Sequence, residues 1–440
     1  MKRLCKKEIF SKILSYKLEG AMSLGAISTI MKREKLEYSS KSTIGKSLSD
    51  MGALIPSIES IPLDQSFKIT ALADEIFIGS KPILITVESK SAVILNIQLA
   101  DDRSGATWSD HIDYLTSSRD IEIINTVTDQ GSGLLSGIND SLTGVHRQPD
   151  TFHALSHRLG DFVRILKAKA YGAIASEYER ERVCLSRSTQ KSFDKKVKLY
   201  EDACIKTVEA IEKYENFSYL YRHAIRQLNP FHSNGEIRDA DKARGEIETA
   251  IELLELLEHE KINKEVKSIK KILPDLLNYF EQTKESIAVC KSLGISDDAI
   301  KSLSLEWQWN KAVIKAKKVE RKRDAKEKRL FYIEHSKQIL GDRYEEIKAK
   351  VFDELDNIIQ ASSMVENINS ILRPYLDRSK NQVTQEFLNL FAFYHNHRRF
   401  VDGKRKGKTP MEILTDKKQK KDWIELLTDA IERKDKDFFL

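Results

Sequence analysis

Two aspartates stand where a carboxylate could bind a metal ion. Asp74 interrupts the apolar run ALADEIFI, and a charge there is costly unless it has a partner or a metal ion. Asp129 directly follows the apolar run IEIINTV, in the sequence TDQGSGL. Gly131 and Gly133 come next, and glycines let the backbone approach a phosphate or a metal ion closely.

A third carboxylate lies in the segment SSMVENINSILRPY, residues 362–375. The spacing of three and four places Glu366, Asn369 and Arg373 on one face of a predicted helix, beside an apolar face. Ser363 and Glu366 also fit the S-x-x-E capping box, in which the glutamate only ends the helix. The sequence leaves both interpretations open.

Three carboxylates of this kind suit two-metal phosphoryl transfer. Two Mg²⁺ ions about 4 Å apart activate water or a 3′-hydroxyl and stabilise the leaving oxygen. Because Mg²⁺ prefers oxygen ligands and keeps several waters, few protein ligands are needed. We therefore expect Mg²⁺, for which Mn²⁺ can substitute, to be held by Asp74, Asp129 and Glu366.

The elements that must position these acids alternate between strands and helices. Apolar, β-branched runs predict strands at 67–78, 82–87, 92–99 and 121–127, with a helix at 108–117. This order is that of an RNase H-like half-sheet, and also of other α/β domains. Upstream, residues 23–36 and 41–54 show helical spacing around a polar turn, as in a helix-turn-helix DNA reader. Its second helix offers Lys41, Ser42, Thr43 and Lys46 to DNA.

Helical periodicity begins at about residue 161 and continues through most of the rest of the chain. It predicts an α/β core with a mixed sheet and flanking helices, interrupted by a large all-helical insertion. Trp307 and Trp309 of the insertion could stack on an unpaired base, or pack in a helical core. The expected domains are a helix-turn-helix-like segment (1–60), the first part of the core (61–160), the insertion (161–361), the last part of the core (362–415) and a C-terminal helix or tail (416–440).

Composition agrees with a nucleic-acid partner without requiring one. The net charge is only +6, but basic residues collect in the runs 315–329, 404–408 and 417–421, which suit a polyanion or a solvated surface. The 4 cysteines show neither zinc-site spacing nor a disulfide framework. Neither a signal peptide nor a membrane span is predicted, so we expect a cytoplasmic, nucleoid-associated protein.

Three segments together resemble the integrase-core, Asp-Asp-Glu (DDE) transposases of bacterial insertion sequences. The first runs from DEIF to KPILITVE, the second is TDQGSGL with QPDTFHAL after it, and the third is SSMVENINSILRPYL. The third continues into TQEFLNLFAFYHNHRRF and GKTPMEIL, and is the most specific. The resemblance covers about 60–130 and 360–415, but residues 129 and 366 are 237 positions apart, farther than in simple integrase cores. A helical insertion would explain this spacing.

The resemblance implies a fold, an activity and site residues. The fold would be an RNase H-like core, and the activity cleavage of the ends of a mobile element with transfer of the 3′-hydroxyl. The partners would be the terminal inverted repeats and target DNA, bound by a dimer or a larger oligomer without any membrane. Asp74, Asp129 and Glu366 would be the catalytic metal ligands. Residues near DNA or supporting the core would be Asn369, Arg373, Tyr394, Asn396 and Arg398, and His153 matches a recurring Phe-His pair.

Two other functions remain open on the sequence. Asp74 with Glu88 and Lys90 spells D…E-x-K, the pattern of restriction-type endonucleases, although it leaves the helix of Glu366 unexplained. Alternatively, a protein derived from a transposase could bind DNA without cutting it, although the presence of all three acids argues against decay of the site.

Overall fold

The computed structural model describes residues 4–187, 189–379 and 382–440, and most of them are helical. Two π-helical turns, Ser15–Glu19 and Phe152–His157, accompany the α-helices. The α-helices are α1 (Lys6–Leu14), α2 (Leu24–Arg33), α3 (Lys41–Leu54), α4 (Gly105–Ser118), α5 (Ser132–Ser141), α6 (Arg158–Cys184), α7 (Gln190–Gln227), α8 (Ala240–Glu255), α9 (Glu260–Leu276), α10 (Tyr279–Ser292), α11 (Asp297–Lys315), α12 (Val319–Leu340), α13 (Tyr344–Leu355), α14 (Ser363–Arg378), α15 (Gln385–His397), α16 (Pro410–Thr415) and α17 (Trp423–Lys434).

The strands form one mixed sheet of five members. They are β1 (Phe67–Ile78), β2 (Lys81–Glu88), β3 (Ile94–Leu99), β4 (Ile121–Thr128) and β5 (His146–Pro149). Their order is β3-β2-β1-β4-β5. β2 is antiparallel to both β1 and β3, whereas β1 and β4 are parallel. The protein is therefore a mixed α/β chain, as predicted at that level.

The first four strands lie where apolar, β-branched runs predict them, but the fifth was not predicted. β5 has the sequence HRQP and is only four residues long. It has no alternation of apolar and polar side chains, and it ends in a proline. A strand of this kind is specified by its place beside β4 at the edge of the sheet, which the local sequence does not reveal.

Helices cover both faces of the sheet. On one face, Ala71 and Leu84 join Trp108 of α4 in a hydrophobic core. On the other, α14 packs against β1 and β2, and α15 packs against β3. Because both faces are covered, every residue of β2 after Lys81 is buried. This explains why β2 has a nearly continuous apolar sequence.

The chain divides into two compact units. Unit 1 comprises Met1–Arg147 and Ser362–Leu440, and unit 2 comprises Gln148–Ala361. Unit 2 starts before residue 161, where the helical pattern begins, because Gln148 belongs to its interior. The side chain of Gln148 donates to the carbonyl of Leu276 at 2.9 Å and accepts from the backbone N–H of Tyr279 at 2.8 Å.

The first helices of unit 1 share a core with its last ones. Ser23 and Ser40 cap α2 and α3, each accepting a backbone N–H in the first turn of its helix. Ile44 of α3 is buried in one cluster with Leu390 of α15 and Leu427 of α17. The helix pair predicted at 23–36 and 41–54 is therefore present as α2 and α3, and it is packed into unit 1.

Unit 2 is built from helices α6 to α13. Outside β5, its described residues form no strand, only an isolated bridge between Phe231 and Ile237. The apolar faces of α8 and α9 are buried, and Ile251 and Ile269 lie in one core cluster. None of the helices in the described part of the chain has the length and apolarity needed to cross a membrane.

Candidate active site

The pairing of β1 with β4 brings Asp74 and Asp129 to neighbouring positions. Ala73 pairs with Thr128 at the end of the parallel ladder. Asp74 directly follows Ala73, and Asp129 directly follows Thr128. Adjacent strands lie about 4.8 Å apart, so the two carboxylates start from neighbouring backbone positions. The backbone alone therefore places two candidate metal ligands side by side.

Asp74 is held on the face of the sheet that α14 covers. Its Oδ2 accepts a hydrogen bond of 2.8 Å from Nδ2 of Asn369, and its Oδ1 accepts the backbone N–H of Glu75 at 2.9 Å. Asn369 is only 6% exposed. A buried amide that donates to a carboxylate fixes the orientation of that carboxylate and satisfies part of its charge.

Glu366 lies on the same helix, one turn before Asn369. Val365, Ile368 and Leu372 of α14 are fully buried, as expected for its apolar face. The helix begins at Ser363, and its N-cap residue, Ser362, makes no capping hydrogen bond with its side chain. Glu366 therefore occupies the fourth helical position, whereas a capping box requires the third. The structure does not form the capping box that the sequence allowed.

The loop after β4 is shaped around Asp129. Its Oδ1 accepts the backbone N–H of Gly131 at 2.8 Å. A Cβ atom on Gly131 would lie 3.1 Å from this oxygen, so glycine permits the close turn. The sequence suggested that Gly133 lets the backbone approach a phosphate or a metal ion, but the structure gives it a different role. A Cβ atom there would lie 1.9 Å from the carbonyl oxygen of Arg103, so this glycine permits close packing of the backbone.

The chemistry of these groups fits a hard divalent cation. Asp74, Asp129 and Glu366 offer only oxygen atoms, which Mg²⁺ and Mn²⁺ prefer. Among the described residues, Oδ1 of the buried Asn369 has no hydrogen-bond partner, and neither does the side chain of Asn125 on β4. Buried polar atoms rarely lack partners, and the waters that Mg²⁺ keeps could donate to such acceptors.

The D…E-x-K pattern is not assembled into a site. Glu88 pairs with Ala71, three residues before Asp74 on β1, so Glu88 and Asp74 face opposite sides of the sheet. Glu88 is 6% exposed, and its carboxylate accepts the backbone N–H groups of Lys90, at 2.9 Å, and Ser91. It therefore stabilises the turn between β2 and β3.

The residues predicted to contact DNA on α3 lie in its first two turns. Lys41, Ser42 and Lys46 are exposed, and Thr43 is half-buried. The hydroxyl groups of Ser42 and Thr43 both contact that of the capping residue Ser40, at 3.0 and 2.6 Å. Lys41 and Lys46 are therefore available to a ligand, whereas the hydroxyl groups of Ser42 and Thr43 are both engaged with the capping residue.

The residues quoted from the last segment separate into exposed and buried groups. Arg373 of α14 is exposed. Asn396 is fully buried, and its amide bonds both the N–H and the carbonyl of Ile94 on β3, at 2.8 and 2.9 Å. Tyr394 is also buried, and the Arg398 guanidinium lies 5.5 Å from its ring centre. The two roles expected for these residues were contact with DNA and support of the core. The geometry favours support of the core for Asn396 and Tyr394.

The two tryptophans of unit 2 have different environments. Trp307 is 3% exposed and donates from Nε1 to Asp356 at 3.1 Å, so it belongs to the helical core. Trp309 packs at the edge of that core and lines a cavity of about 500 Å³. The Nζ of Lys328 lies 4.5 Å from the centre of its ring, and Phe331 lines the same cavity.

His153 lies beside an acid at the start of unit 2. Asp150 is 2% exposed, and its Oδ1 accepts the backbone N–H groups of Phe152 and His153 at 2.7 and 3.0 Å. A carboxylate oxygen of Asp150 and a ring nitrogen of His153 lie within 4.8 Å of each other. The sequence singled out His153 alone, because nothing in QPDTFHAL marks Asp150 as a buried neighbour.

The sequence was compared with protein-family models and with curated proteins, and neither comparison gave a match.

Proposed function

We propose that this chain is a DDE transposase that binds the ends of a mobile element, cuts DNA strands there and joins the freed 3′-hydroxyl to target DNA. The observation that carries the proposal is the hydrogen bond from Asn369 to Asp74. It joins α14, the helix of Glu366, to β1. The parallel neighbour of β1 is β4, which ends directly before Asp129. The proposal assigns these three acids, which are far apart in sequence, to one metal site on this side of the sheet.

The topology supports the same proposal. Three antiparallel strands, followed by a helix and a fourth strand parallel to the first, form the order expected of an RNase H-like core. Unit 1 is made from two stretches of chain, and unit 2 lies between them in sequence. We interpret unit 2 as an insertion between the strand of Asp129 and the helix of Glu366, which accounts for their separation.

In this proposal the residues of the site bind metal ions, orient a metal ligand or contact DNA. Asp74, Asp129 and Glu366 would hold two Mg²⁺ or Mn²⁺ ions, which would supply an activated oxygen nucleophile and stabilise the leaving oxygen. Asn369 orients the carboxylate of Asp74. Arg373 is exposed two turns beyond Glu366 and can neutralise a DNA phosphate.

The same unit offers positive groups for the duplex. Lys41 and Lys46 are exposed on α3, and Ser42 lies beside them. Lysine contacts to phosphates position a protein on DNA and make its affinity depend on salt. We propose that the bound DNA is double-stranded, first the terminal inverted repeats and then the target, and that a dimer or larger oligomer brings two ends together.

A strand-transfer assay tests this function. The probes are labelled duplexes from the DNA on the two sides of the gene, where the ends of the mobile element are expected. They are mixed with a supercoiled plasmid as target and with Mg²⁺ or Mn²⁺. The proposal predicts labelled DNA joined to the plasmid, which a simple endonuclease cannot produce. Cleavage without joining would favour an endonuclease. Retention of the probe without cleavage would favour a protein that only binds DNA.

A further inference from the structure

The charged side chains that line one cavity of unit 1 are all positive among the described residues. It has a volume of about 560 Å³ and lies among the first turns of α2 and α3, the end of α14 and the start of α15. Lys17, Lys41 and Arg378 line it, and its described lining residues include neither aspartate nor glutamate. Its walls also include the apolar side chains of Leu48 and Phe387.

Lys17 carries a buried ammonium group that forms no ion pair with any described residue. It is 9% exposed, and its Nζ lies 5.0 Å from the centre of the Phe387 ring. Its hydrogen bond to the carbonyl oxygen of Met22 is long, at 3.5 Å. Burial, followed by the like charge of Arg378, lowers the pKa of Lys17. A buried charge is costly without an opposite charge, and no described acid forms an ion pair with Lys17.

The other donors around the cavity point to the same kind of ligand. Arg378 is held by the backbone carbonyl groups of Gly20 and Ala21, and no described acid neutralises it. Ser23 caps α2, but the backbone N–H groups of Leu24 and Gly25 come before the first hydrogen-bonded turn of that helix. Free N–H groups and the helix dipole at such an end favour an anion.

We propose that this cavity binds a phosphate group between Lys17, Lys41, Arg378 and the first turn of α2. A phosphate has several oxygen atoms and can accept from cations and backbone N–H groups together. The apolar walls next to these donors would contact the organic group attached to the phosphate. The ammonium group of Lys17 is already desolvated in the folded protein, so the ligand does not have to displace its hydration shell on binding.

The source of the phosphate is taken to be the DNA backbone, an assignment that rests on the proposed function. Lys41 is both a lining residue and an exposed residue of α3, the helix predicted to meet DNA. A backbone phosphate in the cavity would fix the position of α3 on the duplex without reading its sequence. No local sequence pattern marks this site, because Lys17 and Arg378 are separated by most of the chain.

The test compares the full-length protein with its Lys17→Met variant, which keeps side-chain length and removes the charge. Lys32→Met is the matched control, because Lys32 is an exposed residue of α2 outside the cavity. Thermal unfolding is measured with and without inorganic pyrophosphate. Affinity for a short duplex of arbitrary sequence is measured over a series of salt concentrations, without any cleavage step. A Lys41→Ala variant, at an exposed position, removes a cation without disturbing the interior.

We expect pyrophosphate to raise the Tm of the wild type and of Lys32→Met, but not that of Lys17→Met. Without the anion, Lys17→Met should unfold at the same temperature as the wild type or a higher one. Its affinity for the duplex should fall, and the slope of log K against log salt should decrease by about 1. Lys41→Ala should show a smaller loss of both responses.

The outcomes separate the parts of the inference. If Lys17→Met loses the pyrophosphate response but binds the duplex as the wild type does, the phosphate site stands and its ligand is a free phosphate compound. If Lys17→Met responds to pyrophosphate and binds DNA like the wild type, the phosphate site is excluded. Failure of the proposed transposase activity would leave both binding measurements unaffected.

Discussion

Asn369 donates a hydrogen bond of 2.8 Å to Asp74 across 295 positions of sequence. The bond joins α14 to β1, the first strand of the proposed catalytic core, and both elements belong to unit 1. Because Glu366 lies one turn earlier on the same helix, this bond also restricts the position of its backbone relative to β1.

Replacement of Asn369 by alanine should slow DNA cleavage while leaving DNA binding intact. The carboxylate of Asp74 would lose its fixed donor, and loss of such an orienting partner typically costs about 10–100-fold in activity or metal affinity. Rates of cleavage and affinities for the same duplex should be measured together. Asn367→Ala, at an exposed position of the same helix, is the control. Equal rates for the two variants would show that the Asn369 bond has no part in catalysis.

Replacement of Asn396 by alanine should reduce stability and not DNA contact. Asn396 is fully buried and bonds both backbone groups of Ile94. Each backbone group left unpaired in the interior costs about 1–3 kcal/mol. Urea unfolding should show the loss as a lower midpoint. A change below about 0.5 kcal/mol, typical of a surface position, would contradict this role.

Stability should fall on acidification because buried histidines are kept neutral. Burial lowers the pKa of His111 from 6.5 to about 3, and its ring nitrogens bond to the neutral side chains of Thr86, Asn96 and Gln98. The unfolded chain therefore binds one more proton there between those two pH values. The stabilisation is complete above pH 6.5 and is lost as the pH falls towards 3, at about 1.4 kcal/mol per pH unit.

The His111→Gln variant isolates this contribution. Whatever its stability at neutral pH, its free energy of unfolding should decline less steeply than that of the wild type between pH 6.5 and 5. His395, whose pKa burial also lowers to about 3, remains in both proteins and contributes equally. Identical slopes would mean that His111 becomes protonated in the folded protein.

The tryptophans of unit 2 should differ in what their removal costs. Trp307→Ala should destabilise the protein by about 3–5 kcal/mol, because a large core side chain leaves a cavity. Trp309→Ala should affect stability less and should weaken binding of DNA that carries an unpaired base, by about 1–3 kcal/mol if the base stacks on the ring. Unfolding curves and affinities for paired and gapped duplexes measure both. Equal affinities for gapped DNA before and after Trp309→Ala would exclude stacking there.

Local patterns in the sequence predicted the individual elements well. The strand at 67–78 and the helix at 41–54 are confirmed at the same limits, because apolar periodicity depends on nearby residues. The helical character of residues 161–361 is also confirmed, since long amphipathic stripes are read over many turns. β5 was missed because it has no pattern of its own.

Relations between distant residues could not be predicted in this way. The register that sets Asp74 beside Asp129 is a property of strand pairing, and neither strand encodes it alone. Whether Glu366 belongs to a capping box depended on a helix start that differs by one residue. The buried charge of Lys17 is visible only once α14 and α15 pack around it.

The most direct test of the account is Mg²⁺-dependent cleavage of the labelled border duplexes by the wild type, Glu366→Gln and Asp377→Asn. Asp377 is an exposed acid of the same helix, so its amide variant controls for the change of charge on α14. The account predicts that the wild type and Asp377→Asn cut, whereas Glu366→Gln binds the duplexes with wild-type affinity and does not cut. Cleavage by Glu366→Gln at the wild-type rate would contradict the assignment of Glu366 as a catalytic metal ligand.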